Sequence, residues 1–156
     1  MLNLIYQHPS LNLIFQHPSG GKIWQGPYLE IPYDLKVANF DLVIYAAQEC
    51  PPLNHHCGAV LKYYPNDDEQ CAPETEIYKK ILNNAKKAVP DVVEMIKSGK
   101  NVLITCNQGI NRSSLVTGLA IKALSGLSGW DVVNLIKDKR SGALTNGSYM
   151  TMILIG

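Results

Sequence analysis

The chain reads as an α/β protein with a central, mostly parallel sheet flanked by helices. Three observations predict that class. Short apolar runs occupy residues 40–47, 58–64 and 101–105, each bounded by turn formers. Longer stretches with apolar residues at helical spacing lie between and after them. The composition, 46% hydrophobic and 17% charged over 156 residues, suits one domain with a real core. Strands that alternate with helices make a layered fold around one sheet.

The chain opens on a tandem repeat. Residues 2–10 and 11–19 are identical except that Tyr6 is replaced by Phe15. Two nine-residue copies are too few for a solenoid. The favoured reading is a duplication in which one copy is an edge strand and the other extends it or hangs loose. Pairing of the extra copy with another chain by strand addition is the alternative. A domain boundary is expected after the repeat, with residues 1–21 as a leading segment and 22–156 as one domain.

Residues 40–47 follow as a strand, and residues 48–57 as a loop broken by Pro51 and Pro52. The strand at 58–64 should end at Pro65 and Asn66. Residues 74–98 are helical, with Ile77, Ile81, Ala85 and Ala88 on one face. Pro90 should kink that helix or start a second one at Asp91. Gly99 marks a stop, and residues 101–105 read as a buried strand. After residue 112, Leu115, Val116, Leu119, Ala120, Ala123 and Leu124 form one stripe of a helix. Ser128 and Asp131 make a capping box for a helix through Lys137. Asn146 caps a last helix ending near Ile155.

The most specific pattern joins the buried strand to its helix. Cys106 and Arg112 bracket Asn107, Gln108, Gly109, Ile110 and Asn111, and Ser113 and Ser114 follow. A loop at a helix N-terminus aims N–H groups at one point and favours an anion there. It would stabilise a thiolate when empty and a phosphate when full, and the thiolate is the attacking form of cysteine. Gly109 suits the tight backbone of such a cradle. Arg112 can grip two phosphate oxygens with its planar fork. The chain has only two arginines, Arg112 and Arg140, against twelve lysines. Ser113 can donate a hydrogen bond to the sulfur when it leaves.

Cys106, Arg112 and Ser113 together resemble the signature loop of the cysteine-based protein tyrosine phosphatases, and the short layout resembles the dual-specificity branch. The resemblance covers about residues 22–155 and implies a fold of dual-specificity phosphatase type. It implies hydrolysis of phosphotyrosine and phosphoserine or phosphothreonine in proteins through a cysteinyl-phosphate, with no metal or organic cofactor. Residues 107–112 would bind the phosphate. Residues 22–29 resemble the family's opening strand and turn, with Gly26 and Pro27 as the turn. One departure stands beside the nucleophile: the family carries histidine where this chain has Thr105, whose hydroxyl would replace part of that hydrogen bonding.

The family also places an aspartate on a loop thirty to forty residues upstream. A positioned acid contributes about 10²–10⁴-fold. Asp67 is the expected general acid, Asp68 the alternative and Glu69 a third choice. Arg140 resembles a family position that binds a second anion or braces the cradle; a helix C-terminal arginine favoured by the dipole is the preferred reading.

Net charge is +1, which argues against a broad nucleic-acid or lipid footprint. No apolar run approaches membrane-span length, and residues 1–10 show no secretory signal. A working thiolate implies a reducing, cytoplasmic setting. The expected partners are phosphorylated proteins, and a monomer is favoured. Cys50 and Cys57 with His55 and His56 between them do not match short zinc patterns, so no metal site is expected. Some relatives pair another cysteine with the nucleophile, and Cys50, Cys57 and Cys71 are the candidates here. Two rival functions remain. One is an RNA 5′-triphosphatase, whose loop is similar over residues 109–113. The other is a catalytically weak module that captures phosphoproteins. The neutral Asn107, Gln108 and Asn111 argue against inositol phosphates.

Overall fold

A computed structural model describes residues 10–29, 39–52 and 58–156. The first repeat copy apart from Ser10, and Cys57, His55 and His56, lie outside the described residues.

Five strands form one mixed sheet: β1 (Asn12–Gln16), β2 (Lys22–Pro27), β3 (Leu42–Ala47), β4 (Val60–Asn66) and β5 (Asn101–Cys106). Their order is β1-β2-β5-β3-β4. β1 is antiparallel to β2, and every other pairing is parallel. Helices α1 (Glu76–Lys97), α2 (Arg112–Ser125), α3 (Gly129–Lys139) and α4 (Gly147–Ile155) complete the described elements.

β5 lies at the centre, with Val102, Leu103 and Ile104 all fully buried. A strand covered on both faces needs a continuous apolar run, which is what its sequence shows. Successive side chains alternate between two clusters. Val102 and Ile104 join Ile23 and Ile44 in the main core with the helices. Leu103 joins Trp24, Val43, Tyr45 and Leu11 in a smaller cluster on the opposite face. The parallel strands all end on one side, where open α/β sheets bind ligands.

Several local expectations change. β1 is built from the second repeat copy, with Leu11 and Ile14 buried, and the boundary expected after residue 21 cuts the β1–β2 hairpin. Gly26 and Pro27 finish β2, paired with Thr105 and Cys106, and are not a turn. Pro65 and Asn66 lie inside β4, beyond a register shift. β4 is an edge strand, where proline is tolerated. α1 runs unbroken through Pro90. Its buried face, Tyr78, Ile81, Ala85, Ala88, Val92 and Ile96, extends on both sides of the proline. Packing along that stripe offsets the hydrogen bond that proline removes. Ile77 is 48% exposed, and Tyr78 takes its place on the buried face.

α2 differs from a one-striped helix. Residues 113–121 are buried all round, because the sheet covers one side and the other helices cover the rest, while Ala123 is exposed. Ser128 caps α3 by accepting from the Asp131 amide at 3.1 Å, and α3 continues to Lys139. Asn146 caps α4 by accepting from the Tyr149 amide at 3.2 Å.

Candidate active site

β5 ends at Cys106 and α2 begins at Arg112, so the intervening loop lies at the carboxyl edge of the sheet and the N-terminus of a buried helix. No cis peptide occurs among the described residues. In a trans peptide the carbonyl and the following N–H point opposite ways. The loop carbonyls are each held by a donor outside the cradle. Asn107 O accepts from the Tyr28 amide at 3.2 Å. Gln108 O and Gly109 O accept from Arg140 Nη2 at 3.0 Å and Nε at 2.7 Å. Gln25 Nε2 adds a second bond to Gly109 O at 2.9 Å. Ile110 O accepts from the Leu144 amide at 2.7 Å and Ser114 Oγ at 2.6 Å, and Asn111 O from the Leu115 amide at 2.9 Å. In each of these peptides the N–H, from Gln108 to Arg112, therefore points away from the donor that holds its carbonyl. Amides left free of the carbonyl network in this way are preorganised donors for an anion.

Gly109 is required twice. Its φ of +69° is unfavourable for other residues. A Cβ there would also lie 2.5 Å from the Gly26 carbonyl carbon.

Cys106 sits at the floor, 3% exposed, hydrogen-bonded to Ser113 Oγ at 3.2 Å. When the sulfur is ionised the direction reverses and the serine hydroxyl donates. Thr105 does not act on the loop. Its hydroxyl donates to Ile44 O at 3.1 Å, because its side chain projects from β5 toward β3.

Arg112 has five N–H donors. Nη1 donates to Glu49 Oε2 at 2.7 Å and to Asn66 O at 3.1 Å. Nη2 donates to Glu49 Oε1. Nε is buried with no partner among the described residues. What remains is Nε–H and one Nη2–H, side by side on one edge of the guanidinium, a fork for two phosphate oxygens. Burial alone would lower the Arg112 pKa, but Glu49 and the nearby Cys106 and Asp68 charges raise it overall. In return, hydrogen bonds from Arg112 hold Glu49 below the usual carboxylate range.

The cavity above the sulfur holds about 260 Å³ and is lined by Cys106, the loop, Arg112, Thr145 and Asp68. Asp67, the expected acid, is not in its lining. Asp67 lines a separate cavity of about 510 Å³ with Gln48, Glu69, Ile77 and Lys80. The two neighbours part just beyond the end of β4 at Asn66, one side chain on each cavity. Asp68 is fixed by two amides, with Asn111 Nδ2 donating to Oδ2 at 3.0 Å and Asn146 Nδ2 to Oδ1 at 2.8 Å. Asn146 Nδ2 also reaches Glu69 O at 2.8 Å. The Tyr149 hydroxyl donates to Asp67 O. Burial, then the Asp68 charge, raises the Tyr149 pKa, which keeps that donor protonated.

The six expected phosphate-binding residues therefore divide. Asn107 and Gln108 have exposed side chains at the rim. Asn111 turns its side chain to Asp68 and Thr145, which leaves its backbone amide as the group available to the cavity. Gln25, Glu49 and Tyr149 were not singled out from sequence, and Asn146 only as a helix cap. None lies within a recognisable motif, and Glu49 is 63 residues from its partner. Among the other cysteines, Cys50 shares a small buried cluster with Cys106 and Ala47, whereas the Cys71 backbone pairs with Ser148. No three metal-ligating side chains cluster among the described residues.

Comparisons with known proteins agree with this fold. The family model described as dual specificity phosphatase, catalytic domain, matches residues 23–155. Human dual specificity protein phosphatase 8 is 25% identical over 136 residues, which is 82% of this chain and 21% of that protein. The mouse protein of the same name is 25% identical and is covered to 20%. The chain thus spans about a fifth of the length of the curated relatives it matches. Among solved structures, human DUSP28 is similar with a TM-score of 0.69 and 18% identity, over 94% of this chain and 91% of that one. Tk-PTP in its active form gives 0.60 and 24%, over 93% and 94%. The human tyrosine phosphatase-like serine/threonine/tyrosine-interacting protein gives 0.66 and 16%, over 94% of each chain.

Proposed function

The chain belongs to the dual-specificity phosphatase family, and from that premise we propose that it hydrolyses tyrosine, serine and threonine phosphate esters in proteins through a cysteinyl-phosphate. The observation that carries this reading is the one cavity of about 260 Å³ that Cys106, the loop after it, Arg112 and Asp68 line together. Cys106 Sγ attacks phosphorus while the ester P–O bond breaks, and Asp68 delivers a proton to the leaving oxygen. In the second step Asp68 takes a proton from water, the water oxygen bonds to phosphorus, and the P–S bond breaks. The Ser113 hydroxyl donates to the departing thiolate. The amides and the Arg112 fork hold the equatorial oxygens throughout.

The small cavity supports dual specificity. About 260 Å³ is below the ~300–1,000 Å³ of most small-molecule pockets. Such a space takes the phosphoryl group and leaves the carrier residue near the surface, so both short and aromatic phosphoresidues reach the sulfur. A reducing compartment fits the thiolate chemistry. No described helix is long and apolar enough to cross a membrane.

The test is hydrolysis of an aryl phosphate without added metal, followed by phosphopeptides and 5′-triphosphate RNA. Turnover should be vanadate-sensitive and abolished by Cys106→Ser. Tight phosphopeptide binding without turnover would instead make the chain a binding module. Release of γ-phosphate from RNA, with poor phosphopeptide activity, would make it an RNA enzyme.

A further inference from the structure

The repeat at the start of the chain reaches the catalytic loop through one arginine. Arg140 uses one edge on the loop, with Nε on Gly109 O and Nη2 on Gln108 O. Its Nη1 points the other way, to Ser10 O and Asn12 Oδ1, both at 2.8 Å. Asn12 is the first residue of β1, so the second repeat copy anchors the back of the brace. A second observation joins the same parts. A Cβ at Gly26 would lie 2.2 Å from Leu11 Cδ2, and one at Gly109 would lie 2.5 Å from Gly26 C and 2.8 Å from Arg140 Nη2. Neither glycine position has room for a side chain: Leu11 of the repeat closes on Gly26, and Gly26 and the Arg140 guanidinium close on Gly109.

We propose that Asn12 is a positioning residue of the phosphate cradle: through Arg140 it holds the amides of Gly109 and Ile110 toward the phosphate, which makes the second repeat copy a working part of the site. The proposal rests on the phosphatase reading above. The guanidinium orients two loop peptides only while it is itself held in plane. Ser10 O and Asn12 Oδ1 are the groups that hold its far end. If they are lost, Nη1 is left in a half-buried place without an acceptor, and the fork is free to tilt toward water. The two loop carbonyls then lose their outside donor, and their peptide planes can rotate. The cost falls on the bound dianion and the transition state, which use those N–H groups, more than on the fold, which keeps Leu11 and Ile14 in place.

Copy one carries the same residues nine positions earlier, Leu2, Asn3 and Ile5 for Leu11, Asn12 and Ile14. A test must remove both asparagines so that one cannot stand in for the other. In the full chain, Asn3→Ala with Asn12→Ala is compared with Asn3→Ala with Asn12→Asp, which restores a carboxylate acceptor. The readouts are kcat/KM on an aryl phosphate, inhibition by vanadate, and the melting temperature. The double alanine variant should lose about threefold to tenfold in kcat/KM, the share of a charged hydrogen bond left when Ser10 O still serves Nη1. Vanadate inhibition should weaken in parallel, and the aspartate variant should recover both. If the alanine variant melts lower yet keeps its kcat/KM and vanadate inhibition, Asn12 is only structural. Equal losses in the alanine and aspartate variants would overturn the proposal as well. Absence of activity in the unmodified chain would strike the phosphatase reading instead, so the two failures are distinct.

Discussion

Glu49 offers the sharpest test of how the cradle is oriented. It takes both Arg112 Nη groups end-on, so replacing it acts in two opposing directions. Removing a negative charge near the site should favour the phosphate. For a side chain 48% exposed, that gain is screened to about 0.2–1 kcal/mol. Removing a bidentate partner releases the guanidinium, whose side chain is 10% exposed. Each charge-assisted hydrogen bond is worth ~1.5–3 kcal/mol. Discounting the pair for the exposure of Glu49 leaves about 1.5–2 kcal/mol of lost orientation. Orientation therefore wins by about 1 kcal/mol, a fivefold to tenfold loss in kcat/KM for Glu49→Gln. Steady-state kinetics with an aryl phosphate, and vanadate inhibition, measure it. A rise in activity would show that Glu49 competes with phosphate for Arg112, and the orienting role would be wrong. The pH dependence has a definite sign. Glu49 is held below its usual pKa by hydrogen bonds from Arg112. Its contribution to stability is therefore present above the usual carboxylate range and is lost as pH falls through the lowered value. The stability gap between the native protein and Glu49→Gln should be full at neutral pH and close in acid, as thermal melts at several pH values would show.

Two further outcomes are expected. Asp68→Asn should lower turnover by about 10²–10⁴-fold on alkyl phosphates, while Asp67→Asn stays within a few-fold; similar small losses in both would remove the acid role from this segment. Mild peroxide should convert Cys106 to a sulfenic acid, which the Cys50 thiol then displaces as water to form a disulfide. Peptide mapping should find that bond, and thiol reductant should restore activity. In Cys50→Ser, peroxide should inactivate irreversibly; unchanged recovery would exclude the pairing.

The Cys106–Arg112 loop was legible because its pattern is local. Cys106, five intervening residues and Arg112 are contiguous, and a strand on one side and a helix on the other leave the backbone little freedom. Helix caps at Ser128 and Asn146 were legible for the same reason, since each contact spans three residues. Choices that turn on which way a side chain points were not. Asp67 and Asp68 are chemically equal in the sequence, and only the path of the chain after β4 brings Asp68 to the cavity that Cys106 lines. Thr105 looks like a replacement for loop hydrogen bonding until the neighbouring strand takes its hydroxyl at Ile44 O. Arg140 resembles any helix-end arginine until α3 brings it behind the loop.

Sequence alone determined the loop from Cys106 to Arg112 and the alternation of strands and helices around it, because those properties follow from short-range backbone geometry and apolar periodicity. Tertiary structure decided which carboxylate lines the Cys106 cavity, that Glu49 leaves Arg112 one open edge, and that a strand from the repeat reaches the loop through Arg140. Those contacts join residues 43, 63 and 128 positions apart. At such separations a contact depends on the packing of the whole sheet, and no local pattern encodes it.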